Sequence, residues 1–339
     1  MIDPTILTQY QHTREHASVF DVTDRRGTIR VTGRDAARFL HNLCTNDVLN
    51  LPEGTGCEAF FTTAQARVIS PAIIDHVHSD DGSQFVLEVP RSQAQRVFEH
   101  LDRHLISEAV ELWNQTEQTG HFHVAGPEAR RMLEALGAGL PDLNELQHVE
   151  RMHPSLGKCR IRRRSLLTLP GYDVQCDVVP GTREDHGSPG APLATHDVFE
   201  ILRIEAGIPE FGADIDEQRL AFDIGRNLSA ICFTKGCFLG QEPIVMARDR
   251  GHANYRLLGL IGRPADTWSA PATVHRDGKE VGKLTSAVLS PKLGRPIGLA
   301  YLRRGHQDSG TVVEVIGTNR WTAEVSSLPF PESCASGTP

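Results

Sequence analysis

Apolar and polar positions along the first half of the chain predict strands separated by helices. Gly27 to Gly33 alternates apolar and polar residues, which is typical of a strand. Apolar residues at 36, 39, 40 and 43 then follow helical spacing, and a second helix is predicted after Pro90 with Ser92 as its N-cap. Further strands are predicted at 57–63, 68–77, 83–89, 107–113 and 120–126, and a third helix at 127–136. This order favours α+β units of the split βαβ kind.

The pattern changes in the second half. Residues 180–192 are rich in Pro, Gly and charge and predict an exposed loop. A helix is expected after Thr195, its N-cap, and should end at Gly207. From Tyr255 onward, short strands and the hairpin signal Asp277-Gly278 predict a small β-barrel. The predicted divisions are a body, a barrel and a disordered tail, at 1–254, 255–326 and 327–339.

Charge and cysteine usage narrow the class of protein. With 35 basic and 43 acidic residues the net charge is -8, which argues against general nucleic-acid binding. The basic run Arg162 to Arg164 is interpreted as the solvated face of a strand. Seven cysteines without framework spacing indicate a reducing compartment, and we find neither a signal peptide nor a membrane segment. We therefore expect a cytoplasmic monomer.

Familiar catalytic and metal motifs are missing. The chain has no phosphate-binding glycine loop, no dinucleotide fingerprint, no nucleophile elbow and no C-x-x-C pair. The histidine pairs His12/His16 and His100/His104 have helical spacing but lack the glutamate of a metalloprotease helix, so surface histidines are the favoured interpretation. We predict no metal site.

Cys237, in the stretch "FTKGCFLGQE", is the best single candidate for chemistry. Flanking glycines and the neighbouring Lys235 suggest a thiol on a loop close to a cation, which would stabilise the thiolate. The alternative is a buried thiol that only packs, which is the favoured interpretation of Cys232 in an apolar run. Glu205, near the end of a mostly apolar helix, either pairs with an arginine or binds a ligand with paired N–H donors.

These residues resemble a known family. "FTKGCFLGQE" followed by "MARDRGHANYRLLGL" resembles the motif region of the YgfZ-type folate-binding proteins, which are relatives of the glycine-cleavage T-protein, or aminomethyltransferase. "IRVTGRDAARFLHNLCTNDV", "LPGYDVQCDVVP" and "FEILRIEAGIPEFGADI" look like other segments of that family, in its order. The resemblance covers residues 25–316.

The resemblance implies an architecture and a function. The expected fold is α+β, with two ferredoxin-like portions and a C-terminal β-barrel around a tetrahydrofolate cleft. The implied role is the assembly or repair of iron–sulfur clusters in client enzymes, including tRNA-modifying ones. The implied partners are therefore folate and iron–sulfur client proteins, with no direct contact to nucleic acid.

The resemblance also implies roles for individual residues. Cys237 corresponds to the essential thiol, with Lys235 beside it as the second candidate catalytic residue. Glu205 corresponds to the glutamate that meets the pterin edge. The other implied folate contacts are Phe199 and Arg26, at positions of stacking aromatic residues, and Tyr172, in the Gly-Tyr-acidic strand. Arg248 is a further candidate contact, for the anionic tail of the folate, on grounds of charge alone.

Two alternatives remain open at the level of sequence. A folate-dependent aminomethyltransferase or demethylase would need a carboxylate near the reacting amine, but the strand at 83–89 is followed by no acid until Glu99. A non-enzymatic docking protein would bind no folate and would tolerate mutation of Glu205. Whether the chain is an enzyme is thus left undecided.

Overall fold

The computed structural model describes residues 2–79, 84–135, 139–153, 156–177, 193–249 and 254–331. Within these ranges there are seven α-helices: α1 Pro4–Glu15, α2 Ala36–Leu43, α3 Ala94–His104, α4 Ala129–Ala135, α5 His196–Glu205, α6 Asn227–Ala230 and α7 Gln241–Asp249. The described part of the chain also has sixteen strands: β1 Ser18–Asp21, β2 Arg26–Thr32, β3 Thr55–Thr62, β4 Val68–Val77, β5 Gln84–Pro90, β6 Glu111–Asn114, β7 Thr119–Ala125, β8 His148–His153, β9 Gly157–Arg163, β10 Gly171–Asp177, β11 Tyr255–Ile261, β12 Ala272–Arg276, β13 Lys279–Ser290, β14 Arg295–Arg303, β15 Val312–Ile316 and β16 Arg320–Ser326.

The first sheet has the strand order β3-β4-β5-β2-β6, and every pair in it is antiparallel. Helices α2 and α3 supply apolar side chains to its core, because Leu40 and Leu101 are fully buried beside strand residues such as Ile29 and Leu87. The predicted strands and helices of this part are present. Ser92, however, lies in a 3-10 turn before α3, so the prediction that it is the N-cap is wrong.

The second sheet has the order β1-β7-β10-β9-β8. Its core is covered by α4, which buries Ala129 and Leu133 against apolar residues of β7, β9 and β10. Helix α5 begins after Thr195, as predicted, although the Thr195 side chain makes no capping bond to it. The predicted loop at 180–192 lies outside the described residues.

A buried ion network joins the two sheets and corrects one prediction. Arg162, predicted to be solvated, is only 3% exposed and donates to Asp75, Glu88 and Asp173 at 2.8, 2.5 and 2.7 Å. Asp75 and Glu88 belong to the first sheet, whereas Arg162 and Asp173 belong to the second. The basic run therefore supplies countercharges between two sheets, because a buried charge must be paired.

The C-terminal strands close into a barrel of order β11-β14-β13-β12-β15-β16. The Asp277-Gly278 turn connects β12 to β13, and both residues have positive φ, as a two-residue hairpin requires. The α+β class, with two sheet-containing portions and a C-terminal barrel, is confirmed. Of the tail predicted at 327–339, residues 332–339 lie outside the described part of the chain. Among the helices that are described, none is long and apolar enough to cross a bilayer.

Candidate functional site

A cavity of about 490 Å³ lies against the first sheet. Its walls come from β3, β4 and β5 of the first sheet, from α5 and the loop after it, and from the segment around α6. This volume is in the range of small-molecule sites. We refer to it as the central cavity.

Phe199 supplies an aromatic wall of the central cavity. It lies on α5, is 3% exposed, and its ring makes edge contacts with Phe20 and His123 at centroid distances of 5.4 and 6.1 Å. The ring of His196 lies nearly parallel to it at 6.2 Å. These contacts hold the ring in one orientation, which suits the stacking of a flat ligand. The structure thus places this predicted residue in the cavity.

Arg26 also lines the cavity, at the start of β2. Its Nε lies 3.4 Å from the carboxylate of Glu88, on the neighbouring strand β5. Burial raises the pKa of Glu88, but the guanidinium of Arg162, followed by those of Arg164 and Arg26, outweighs burial and brings the pKa down to about 2. Glu88 is therefore an ionised, fully paired carboxylate.

Sequence reasoning missed the other carboxylates of the cavity. Glu58 of β3 binds Arg226 through both carboxylate oxygens and accepts a further bond from Ser229 at 2.7 Å. Burial raises the pKa of Glu58, but Arg226 outweighs it, and the net shift is downward. Glu210 pairs with Arg25 at 2.6 Å. Acidic residues within otherwise apolar strands were the signal that could have revealed Glu58 and Glu88.

Asp24 differs from these three acids. It lines the cavity and is exposed, and within the described ranges no ion pair or hydrogen bond engages its carboxylate. Asp24 is thus the lining acid without an arginine partner. The carboxylate that an aminomethyltransferase would need was expected after the strand at 83–89, where the sequence has none. The cavity nevertheless contains a free carboxylate, at Asp24.

Glu205 is not among the cavity-lining residues of the described chain. It is 4% exposed, and it accepts hydrogen bonds from the Tyr10 hydroxyl at 2.8 Å and the Ser290 hydroxyl at 2.5 Å. Burial raises the pKa of its carboxyl group, and the bonds from Ser290 and Tyr10 oppose that shift only in part. These hydrogen bonds join α5 to α1 and to barrel strand β13, so the Glu205 side chain connects three elements of the fold.

Tyr172 and Arg248 also lie outside the cavity lining. Tyr172 is buried in the core of the second sheet, with the Arg163 guanidinium 4.9 Å from its ring centroid. Arg248, on α7, pairs with Asp249 and lies over the ring of Phe233 at 5.4 Å. The folate contacts predicted for these two residues and for Glu205 remain untested, and the cavity geometry does not favour them.

Cys237 is exposed on the loop between α6 and α7. This loop is bound to the chain that follows α2, because Cys232 N–H donates to Thr45 O and Leu239 N–H donates to Asn42 O, each at 2.9 Å. Gly240 has a φ of +84°, and a Cβ there would lie 2.5 Å from the Thr62 hydroxyl oxygen. The motif glycine is therefore required by close packing. Cys232 is half-buried rather than buried.

Lys235 is directed inward. Its ammonium donates to the carbonyl oxygens of Cys44 at 2.9 Å, Asn46 at 2.7 Å and His41, at the C-terminal end of α2. Three bonds use all its donors, so the ammonium caps the C-terminal end of α2. Burial lowers its pKa, and nearby Cys44 and Asp47 oppose that effect. We assign it a positioning role for the Cys237 loop.

Comparisons with known proteins agree with this architecture. An aminomethyltransferase of Rubrobacter xylanophilus is 28% identical over 344 residues, which cover 98% of this chain and 90% of that protein. A putative chloroplastic transferase of Arabidopsis thaliana is 30% identical over 297 residues, covering 85% of this chain and 66% of that protein.

A crystal structure of the glycine cleavage system aminomethyltransferase T from Bartonella henselae has a TM-score of 0.83 at 21% identity. The match covers 96% of this chain and 90% of that one, and it supports the fold. Residues 2–232 match the GCVT N-terminal domain, and residues 256–331 match the glycine cleavage T-protein C-terminal barrel domain. The chain therefore belongs to the glycine cleavage T-protein family.

Proposed function

We propose that this protein binds tetrahydrofolate in the central cavity. The observation that carries the proposal is an aromatic wall at Phe199 facing a chamber of about 490 Å³ rimmed by charged groups. A pterin needs a flat apolar face and a polar edge, and the cavity offers both. Family membership supports the same ligand.

The lining residues have distinct roles in this proposal. Phe199 stacks on the pterin, and Arg26 supplies a planar guanidinium at the polar side. Because Glu205 lies outside the lining, the N–H donors of the ligand are met by lining carboxylates. Among these carboxylates, Asp24 is free to accept hydrogen bonds from the ligand, because it has no ion pair or hydrogen bond within the described chain.

We further propose that the protein supports iron–sulfur enzymes through the Cys237 thiol, as the resemblance of "KGCFLGQE" implies. The exposure of Cys237 on an anchored loop supports a thiol that can reach a client protein or ligate a metal transiently. The test is complementation of a strain that lacks the protein. Cys237→Ser should fail to restore iron–sulfur enzyme activity, whereas Cys232→Ser should restore it. Full restoration by Cys237→Ser would exclude the thiol role.

Folate-dependent aminomethyl transfer is the second candidate, and Asp24 favours it. Aminomethyl transfer needs a general base that removes a proton from the reacting amine, and the free carboxylate of Asp24 in the cavity lining can serve as that base. If this candidate is correct, the protein converts a methylated amine with tetrahydrofolate as acceptor. Asp24→Asn should then lower kcat by about 10² to 10⁴, and it should also weaken folate binding, because Asp24 meets the N–H donors of the ligand. Turnover unaffected by Asp24→Asn would exclude Asp24 as the base.

A further inference from the structure

The buried ion network that joins the two sheets contains more cations than anions. As far as the structure describes the chain, its ion pairs connect three carboxylates with four guanidiniums: Asp75, Glu88 and Asp173 with Arg26, Arg160, Arg162 and Arg164. The histidines at its edge, His123 and His148, can only add positive charge. The network therefore has a surplus of at least one positive charge, and a buried charge without a counterion is costly.

Two members of this network, Arg26 and Arg164, line the central cavity. Their side chains are largely buried, with exposed fractions of 20% and 12%. Arg26 Nε lies 3.4 Å from Glu88 Oε1, and Arg164 Nη1 donates to the same oxygen at 3.3 Å. The two guanidiniums thus flank one carboxylate oxygen, and the network reaches the cavity through these two side chains.

Both guanidiniums keep N–H groups that no protein atom accepts. Among the described residues, neither Nη atom of Arg26 nor Nη2 of Arg164 has a hydrogen-bond partner, and none of these three atoms is sealed from solvent. Burial lowers the pKa of Arg26; Glu88 opposes this shift, and the neighbouring Arg164 adds to it. An anion that accepted these N–H groups would offset both the burial and the repulsion between the two cations.

The other acids of the cavity lining do not neutralise this pair. Six arginines and four acidic residues line the cavity. Two of the acids, Glu58 and Glu210, are bound by other arginines. Apart from Glu88, no lining carboxylate in the described ranges lies at ion-pair distance from Arg26 or Arg164. The wall therefore presents two cationic forks to the cavity without a matching anion.

His123 shows in which part of the cavity the pair lies. Its ring makes an edge contact with Phe199 at a centroid distance of 6.1 Å. Its Nδ1 lies 2.8 Å from Asp173, which accepts a bond from Arg164 at 3.2 Å. The pair is thus close to the ring on which the pterin is proposed to stack. In a folate the aminobenzoyl group separates the glutamate from the pterin, so the carboxylates of the folate lie at its opposite end.

We propose that Arg26 and Arg164 bind the carboxylate of a small monocarboxylic acid, as a second ligand beside the folate in the central cavity. Its position beside the folate rests on the proposed function. A guanidinium fork matches the two oxygens of a carboxylate, and a single negative charge balances a surplus of one. The face of the Arg26 guanidinium remains available to the pterin, because the carboxylate uses only its edge. The acid occupies the place of a second reactant next to the pterin.

The test is calorimetric titration of the purified protein with acetate at constant ionic strength, with the neutral isostere acetamide as the control ligand. The wild type should bind acetate saturably and should not bind acetamide. Saturation with tetrahydrofolate should leave the dissociation constant for acetate unchanged, because the two ligands occupy separate places.

Two variants locate the site. Arg164→Lys keeps the positive charge that Glu88 and Asp173 need but removes the fork, so it should weaken acetate binding by about tenfold. Arg163→Lys is the matched control on the same strand. Arg163 is not in the cavity lining and lies over the ring of Tyr172, so this variant should bind acetate as the wild type does.

The outcomes separate this proposal from the proposed function. Displacement of acetate by tetrahydrofolate would overturn the second-ligand site, since the two arginines would then belong to the folate site. Failure of the wild type to bind acetate, or equal binding by Arg164→Lys and the wild type, would also overturn it. Acetate binding that Arg164→Lys weakens, without any binding of tetrahydrofolate, would overturn the folate assignment and support the carboxylate site.

Discussion

At the scale of single residues, Arg162 is the centre of a buried ion network. Three carboxylates from both sheets depend on its guanidinium, and Asp75 and Arg162 are almost fully buried. Removing one partner of such a network leaves uncompensated charge in a low-dielectric interior. The role of Arg162 is therefore to hold the two sheets together.

Arg162→Met should lower the free energy of unfolding by about 3 to 5 kcal/mol, as measured by urea denaturation. Glu88, with its pKa lowered to about 2, contributes stability above the unfolded-state pKa that is lost as the pH falls towards 2. The difference between wild type and variant should therefore shrink below about pH 4.5. The control is Arg163→Met, on the other face of β9, which should cost only about 1 kcal/mol for its contact with Tyr172. Equal losses in both variants would contradict the network's role.

Asp223 gives a second prediction at this scale. Burial raises its pKa to about 6, and Arg219 and the backbone N–H of Tyr255 oppose burial only partly. Because the folded-state pKa lies above the unfolded value, this group favours folding at low pH and loses that contribution as the pH rises through 6. The free energy of unfolding of Asp223→Asn, relative to that of the wild type, should therefore increase from pH 4 to pH 7. The increase should be up to about 3 kcal/mol. Thermal unfolding at both pH values measures it, and a constant difference would contradict the shifted pKa.

The arginine run shows where sequence reasoning stops at the residue scale. Three consecutive arginines normally indicate a solvated face. Arg162 pairs with Asp173, 11 positions later, but its other partners, Asp75 and Glu88, are more than seventy positions earlier in the chain. Only the docking of two sheets brings them together, so local pattern could not have predicted it.

At the scale of elements, the cap on α2 links two segments that the sequence analysis quoted separately. Lys235 binds carbonyls at the end of α2, and the hydroxyl of Thr45 donates to Ala230 O. The Thr-Asn-Asp segment and the Cys237 loop are thus one packed unit. The contact between the two segments was not deducible from either sequence segment.

Lys235→Met should therefore loosen the Cys237 loop. The loss of three hydrogen bonds to buried carbonyls should cost about 1 to 3 kcal/mol, and the amides of Cys232 and Leu239 should exchange faster with deuterium. Lys283→Met, at an exposed lysine of the barrel, is the matched control and should change neither quantity. Unchanged exchange in Lys235→Met would contradict the positioning role.

At the scale of the whole molecule, periodicity predicted individual elements, whereas their assembly into two portions and a barrel was implied by the resemblance. β2, α2, α3 and the barrel strands with the Asp277-Gly278 hairpin follow from local pattern and turn chemistry, but α1, α6 and α7 were not predicted. The central cavity does not follow from them, because its lining comes from distant segments. Of the folate contacts that the resemblance implied, Phe199 and Arg26 line it, whereas Glu205 does not.

Titration of tetrahydrofolate into the purified protein tests the central claim most directly. The account predicts saturable binding by the wild type, and weakening by about tenfold in Phe199→Leu, which keeps an apolar wall but removes the aromatic stack. Arg248→Gln, outside the cavity lining, should bind as the wild type does. Absence of binding by the wild type, or loss in Arg248→Gln with Phe199→Leu unaffected, would show that folate is not held in the central cavity.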